Sequence, residues 1–287
     1  MRKSVAQIHT PKNTLARAGN DKILHAHLEG VRDLSDDESV SRPSDAISYA
    51  AESRKIPVES FRIPVHLILT YQRSTFDRAR NLIKGDCVEW LYGESQPFCV
   101  GHFNDLEVGV GRFWIGAPAA AFTLEEAIAC GVRSIFEVGV SGGIQPYLQP
   151  GDIVVIIGAI RDEGTSHHYF PPEVKVESDT LLRDRLIEHL KRKGTRHFIG
   201  PVWSTDGAYR ETKGKLRRFR DSGILAVDME TSAVFAVAKY RDVRAASAQV
   251  ISDVLTENGW KLAFGHQSVI ESTKTLLKNI LETISEK

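Results

Sequence analysis

From residue 65 onward the chain alternates short apolar runs with amphipathic stretches, and this alternation restricts its fold more than any other feature. Residues 65–70 (VHLILT) form an apolar run of buried-strand type, and 74–84 are helix-like. Strands at 98–102 and 106–110 follow, split by Asn104-Asp105, a turn signal. A helix is expected over 117–129, with Pro118 in its first turn and Gly131 after its end. Strands at 134–140 and 153–160 come next. The second half keeps the rhythm: helix 179–194, strand 197–203, helix 211–222, strand 224–227, helix 229–240, strand 244–251 and helix 266–285. Strands interleaved with helices predict a single α/β domain around a mainly parallel sheet, spanning 61–287.

Residues 1–60 have a different character. Few large apolar clusters interrupt their Lys, Arg, Asp, Ser and Asn, and 44–53 alone suggest a short helix. They read as an N-terminal arm, extended or weakly helical, with a composition near the border of disorder. Lys and Arg number 37 against 37 Asp and Glu, which removes the broad electrostatic case for a nucleic-acid or anionic-membrane partner. The apolar runs fall short of the ~20 residues that span a bilayer, and the polar start is not a signal core. A cytoplasmic location is the expectation. Cys87, Cys99 and Cys130 stand singly, so neither a structural zinc site nor a disulfide framework is expected.

Four segments carry polar groups at the ends of expected strands. In Val138-Gly139-Val140-Ser141-Gly142-Gly143, a Gly-rich turn can offer backbone N–H groups to an anion or sugar oxygen, although Gly-Gly at a strand end also serves a plain tight turn. It is neither a dinucleotide fingerprint nor a P-loop. In Val227-Asp228-Met229-Glu230, two acids precede a helix. Asp228 reads as a helix-terminus acid. Glu230, followed by the small Thr231, Ser232 and Ala233, has room to accept hydrogen bonds from a vicinal diol such as that of ribose. Asp253 ends an apolar strand after Ser252, a place for a general acid or for a loop cap. Finally, Trp203 to Thr212 ends a strand in a loop carrying Tyr209 and Arg210, suited to a planar base; Thr205 or Asp206 would equally cap the next helix.

Together these segments resemble the nucleoside phosphorylase family, which includes purine nucleoside phosphorylase, uridine phosphorylase and methylthioadenosine nucleosidase. The resemblance runs from about residue 65 to the end. It rests on Gly139 to Pro146 followed by Gly151 to Val155, then Ser204-Thr205-Asp206, Val227 to Glu230 and Ser252-Asp253, in matching order and spacing. Residues 161–172 look closest to the uridine phosphorylase branch. The resemblance implies a mixed, partly closed central sheet flanked by helices, assembly as a homo-oligomer (dimer, trimer or hexamer), and cleavage of an N-ribosidic bond. It implies that Glu230 holds the ribose hydroxyls, that Met229 packs on the sugar, and that Asp253 contacts N7 of a purine. Tyr209 and Arg210 would meet the base, although Ala208 stands where the family's stacking aromatic belongs.

Three positions depart from the family pattern, all on the phosphate side. Glu137 replaces an arginine, Val140 a hydroxyl residue, and Thr70 to Ser74 the N-terminal phosphate turn. Ser141, Gly142, Arg73 and Arg112 are the remaining phosphate-binding candidates. The implied activity is phosphorolysis of a nucleoside, purine on the strength of Asp253 and otherwise uridine. Inorganic phosphate is the co-substrate, with no metal or organic cofactor. Two alternatives stand beside it: a nucleosidase using water, and a non-catalytic nucleoside-binding or storage protein.

Overall fold

In the computed structural model, residues 39–286 are described. The first 38 residues, most of the expected arm, lie outside them. Helix α1 (Pro43–Arg54) forms where the short helix was expected. Its Ile47 and Ala51 are buried in the main core, and the Arg54 guanidinium donates to the carbonyls of Trp90 and Leu91.

Among the described residues, eleven strands and seven α-helices follow one mixed topology, with the strands in a single sheet. Strand β5 (Ser134–Gly143) is its spine. It pairs in parallel along its whole length with β10 (Arg244–Thr256). Strand β10 runs antiparallel to β6 (Ile153–Asp162), β6 parallel to β8 (His197–Thr205), and β8 parallel to β9 (Ala226–Asp228). Strand β9 then returns antiparallel to β5, so these five strands close on themselves. From β5 the sheet also extends outward through β1 (His66–Thr70), β4 (Leu106–Arg112), β3 (Phe98–Phe103) and β2 (Asp86–Cys87). The short β7 (Val176–Glu177) pairs with β6, and β11 (Gly259–Leu262) forms a hairpin with β10.

Helices α2 (Arg73–Leu82), α3 (Ala117–Ala129), α4 (Thr180–Arg192), α5 (Lys213–Asp221), α6 (Thr231–Tyr240) and α7 (Gln267–Ser285) cover the sheet. Helix α6 is buried from Thr231 to Ala238, which explains its Ala, Val and Ser content: no polar face is needed where no face meets water.

The expected α/β class and the partly closed sheet are both present. Three local expectations are corrected. The glycine-rich segment is not a turn: β5 continues through it to Gly143, because β9 and β10 pair with it on both edges. Helix α5 is capped by the Thr212 hydroxyl, which accepts from the Lys215 N–H at 3.3 Å, and not by Thr205 or Asp206. Cys87 and Cys99 face each other across the β2–β3 ladder and are joined as a disulfide, since antiparallel pairing sets directly opposed side chains together whatever their sequence spacing.

Candidate active site

The largest consequence of the ring closure is a defect on one edge of β5. Strand β1 pairs with β5 only as far as Glu137, and β9 takes over only at Gly142. Between them no described strand occupies that edge. Tyr71, one residue past β1, reaches into the gap and donates its hydroxyl proton to Glu137 Oε1 at 2.6 Å. Thr231 Oγ1, in the first turn of α6, lies 2.7 Å from Glu137 Oε2 and in hydrogen-bond contact with Asp228 Oδ2. One hydroxyl carries one proton and cannot donate to both carboxylates. Gln249 Nε2 already donates to Asp228 Oδ2 at 2.6 Å and to Thr231 at 2.9 Å. One of the two acids therefore holds a proton. Burial agrees: it pushes Glu137 up to about 7, helped by the nearby Asp228, and raises Asp228 as well.

Glu230 adjoins this network at the N-cap of α6 and is 7% exposed. Its Oε1 accepts the Gly116 N–H at 2.8 Å and its Oε2 the Met229 N–H at 3.2 Å. Gly116 sits at φ +104°, a conformation open to glycine that turns its N–H toward the carboxylate before α3 begins. Burial first, then Asp228, push Glu230 up to about 8 against those two bonds. Without a ligand this carboxyl keeps its proton at neutral pH, and a vicinal diol donating to it would favour the ionised form.

Asp253 is set by a β-bulge. The β5–β10 register shifts between Ile251 and Asp253, and this redirects the side chain at the point where the strand leaves the ring. Ser252 Oγ donates to Asp253 Oδ1 at 2.6 Å, and Trp260 Nε1 of β11 donates to Oδ2, also at 2.6 Å. Gly142 makes room for this arrangement. A Cβ there would lie 2.9 Å from Asp253 Oδ2 and against Leu255 Cδ1. The missing side chain admits the protein's own carboxylate, where the sequence suggested a ligand.

Ser141, Gly142, Met229, Glu230, Asp253 and Tyr209 all line one cavity of about 780 Å³. Ser141 is 4% exposed, and its hydroxyl has no hydrogen-bond partner among the described residues. A buried hydroxyl left so at a cavity wall is available to a ligand. The remaining candidates are elsewhere. Arg73 is exposed and paired with Asp77 at 3.1 Å, and it is its neighbour Gln72 that lines the cavity. Arg112 donates to the Ser95 carbonyl at 2.7 Å, and the exposed Arg210 is not in the lining. Arg161 is engaged on the carbonyls of Ser166, Phe170, Pro171 and Val174, so it pins the following loop. Asp228, read from sequence as a helix-terminus acid, belongs instead to the buried network with Ser204 and Gln249.

Residues outside the expected set complete the cavity: Gln72, Glu211, Trp260 and Phe264 line it, and Tyr71 and Gln249 support it from behind. One of these additions had a signal, since Gln249, like Glu137, is a polar residue inside an otherwise apolar strand. Trp260 had none, because 257–262 carries no strand pattern. Among the described residues no group of side chains could hold a metal ion, and no helix is long and apolar enough to cross a membrane.

An α/β domain with a partly closed sheet and a carboxylate-lined cavity at the ring's edge is what the fold and site define. Residues 77–285 match the family model of the phosphorylase superfamily. The chain belongs to that superfamily. Uridine phosphorylase from Haemophilus influenzae is 28% identical over 160 residues, covering 51% of this chain and 64% of that protein, just under two thirds of its length. Guanosine phosphorylase from Halorubrum lacusprofundi is 30% identical over 172 residues, covering 60% of this chain and 71% of that one. Among solved structures, uridine phosphorylase from Vibrio fischeri superposes with a TM-score of 0.71 at 22% identity, over 79% of this chain and 95% of that one. Purine nucleoside phosphorylase from Toxoplasma gondii, in complex with immucillin-H, gives 0.72 at 16%, over 78% and 91%. These structural likenesses bear on the fold.

Proposed function

We propose that this chain cleaves the N-ribosidic bond of a purine nucleoside with phosphate as acceptor, giving free base and ribose 1-phosphate. The observation that carries this reading is that Met229-Glu230, at the junction of β9 and α6, and Asp253, on β10, line one cavity. Glu230 would accept from the ribose hydroxyls, Met229 would pack on the sugar, and Asp253 would contact the base. Positive charge develops on the ribose as its bond to the base breaks, and the acidic surroundings favour that state over the neutral substrate. The names of the phosphorylase relatives support phosphate as acceptor, and Ser141 with its unpartnered hydroxyl is the first group it would meet.

One observation favours water instead. No Lys, Arg or His side chain lines the cavity among the described residues, whereas Glu211, Asp228, Glu230 and Asp253 all do. A dianion entering there needs a cation from outside this lining, and we take a second copy of the chain as its source. A panel of nucleosides assayed with and without phosphate, with the sugar product identified, decides the matter. Phosphate-dependent release of ribose 1-phosphate supports phosphorolysis, and phosphate-independent release of ribose supports hydrolysis. Binding without turnover would leave only the storage reading.

A further inference from the structure

Glu211 lies on the cavity wall with Asp253, Tyr209 and Trp260. It directly precedes the Thr212 cap of α5, and its backbone N–H is turned back onto the Ala208 carbonyl. Its carboxyl has no hydrogen bond and no ion pair among the described residues, although Lys213 and Lys215 are close in sequence; Lys215 is engaged by Asp162 at 2.6 Å. Asp253 is in the opposite condition. Both of its oxygens accept short hydrogen bonds, from Ser252 and from Trp260. A carboxyl group used in this way is an acceptor rather than a proton source. The half-buried Glu211, pushed up to about 7 by burial and then by Asp253, is in part protonated at neutral pH. Two carboxyl groups share one end of one cavity, and only one of them is free to donate. Ser141, buried without a partner on the same cavity, is the independent sign that a ligand belongs there.

We propose that Glu211 is the proton donor to the leaving base, while Asp253, tied by Ser252 and Trp260, accepts a hydrogen bond from an N–H of that base. The inference rests on the nucleoside-cleavage reading and deepens it. As the C1′–N bond breaks, its electron pair passes to the base. The Glu211 O–H proton goes to a ring nitrogen, the base departs neutral, and the carboxyl is left ionised. The acceptor oxygen forms the new bond to C1′. The proton that hydrogen phosphate or water gives up to solvent in that step restores Glu211. A base offering one acceptor nitrogen beside one N–H donor fits this pair, as the N7 edge of a 6-aminopurine does.

The test compares the parent with Glu211→Gln on a purine nucleoside and on p-nitrophenyl riboside, whose leaving group needs no proton. A general acid contributes about 10²–10⁴-fold where the leaving group requires it. Glu211→Gln should therefore slow the nucleoside about 10²-fold or more and the nitrophenyl riboside less than about threefold. The fall in the parent's kcat/KM above neutral pH should vanish in the variant. Melting curves and affinity for free purine base, both measured on the same protein, show that the variant is folded. Equal slowing of both substrates, or a basic limb retained in Glu211→Gln, overturns the proposal while leaving nucleoside cleavage in place. A parent that cleaves neither substrate overturns the functional reading itself, and this inference with it.

Discussion

The two ends of the cavity are built differently. At the end we assign to the sugar, Glu137, Asp228 and Glu230 are all at most 7% exposed, and their oxygens are met by Tyr71, Thr231, Gln249, Ser204 and two backbone N–H groups. At the end we assign to the base, Trp260 is 49% exposed and Tyr209 91%, and Glu211 has no donor among the described residues. The first is a closed network in which each group fixes the next, with little freedom left to adapt. The second hangs from a hairpin and a short loop, where a ligand can still decide the arrangement. On the proposed function, this contrast amounts to fixed recognition of ribose and adjustable recognition of the base.

The sharpest way to break that division is Glu230→Gln. The amide keeps the shape but loses the charge-assisted acceptor, a change worth about 1.5–3 kcal/mol. Turnover should fall on the order of 10–100-fold on that scale, with affinity for free base nearly unchanged. Steady-state kinetics beside calorimetric base binding checks both halves. Turnover at the parental rate would make Glu230 merely a helix-terminus acid.

The same contrast explains what was legible in the chain. The sugar end sits on strands and helix starts whose apolar runs announce them, so Glu230 is legible from local pattern, as Asp253 is at its own strand end, while Met229 rests on the family resemblance. Their supporting network is not legible, because Tyr71, Thr231 and Gln249 come from three separate elements that only the ring closure brings together. The base end depends on β11, whose Gly-Trp-Lys-Leu carries no clean alternation and is exposed at all four positions. Strand-to-strand pairing, rather than any local propensity, put Trp260 beside Asp253.

Next in size is Tyr71→Phe, which removes the donor to Glu137 Oε1 and leaves that oxygen buried without a partner. Such a loss costs about 1–3 kcal/mol. Chemical denaturation should show it as a lower midpoint with unchanged slope, and the base end should be unaffected. A variant as stable as the parent would mean that the protonated Glu137 satisfies itself within the network.

A smaller and broader effect concerns pH. Glu126 and Glu137 are raised to about 7 and Glu230 to about 8 from an ordinary 4.5, in each case chiefly by burial. The folded chain thus binds these protons more tightly than the unfolded one. Their contribution is whole below about pH 4.5 and is lost as pH rises through 7 to 8. The melting temperature of the ligand-free protein should decline from pH 5 to pH 8. Tyr71→Phe should change the slope of that decline, because Tyr71 is one of the donors that hold Glu137 down. Glu211→Gln should make the decline shallower as well, since Glu211 is likewise raised to about 7 by burial and then by Asp253.

The smallest expected effect is at Arg73 and Arg112. As the cations following β1 and ending β4, they were the sequence's substitutes for the missing phosphate arginine. The fold spends them elsewhere: Arg73 lies on the exposed face of α2 against Asp77, and Arg112 is bonded to the Ser95 carbonyl. An exposed i,i+4 ion pair of this kind contributes about 0.3–0.5 kcal/mol, and neither guanidinium reaches the cavity wall that Gln72 and Ser141 form. Arg73→Ala and Arg112→Ala should leave both nucleoside affinity and the phosphate concentration for half-maximal rate within about twofold of the parent, since a lost charge-assisted phosphate contact would move it far more. A large rise in that concentration for either variant would show that phosphate does bind beside it, and that the sugar end is less closed than its network makes it. Unchanged phosphate dependence in both would send the search for the cation to a second copy of the chain, and turnover that ignores phosphate altogether would remove the need for one.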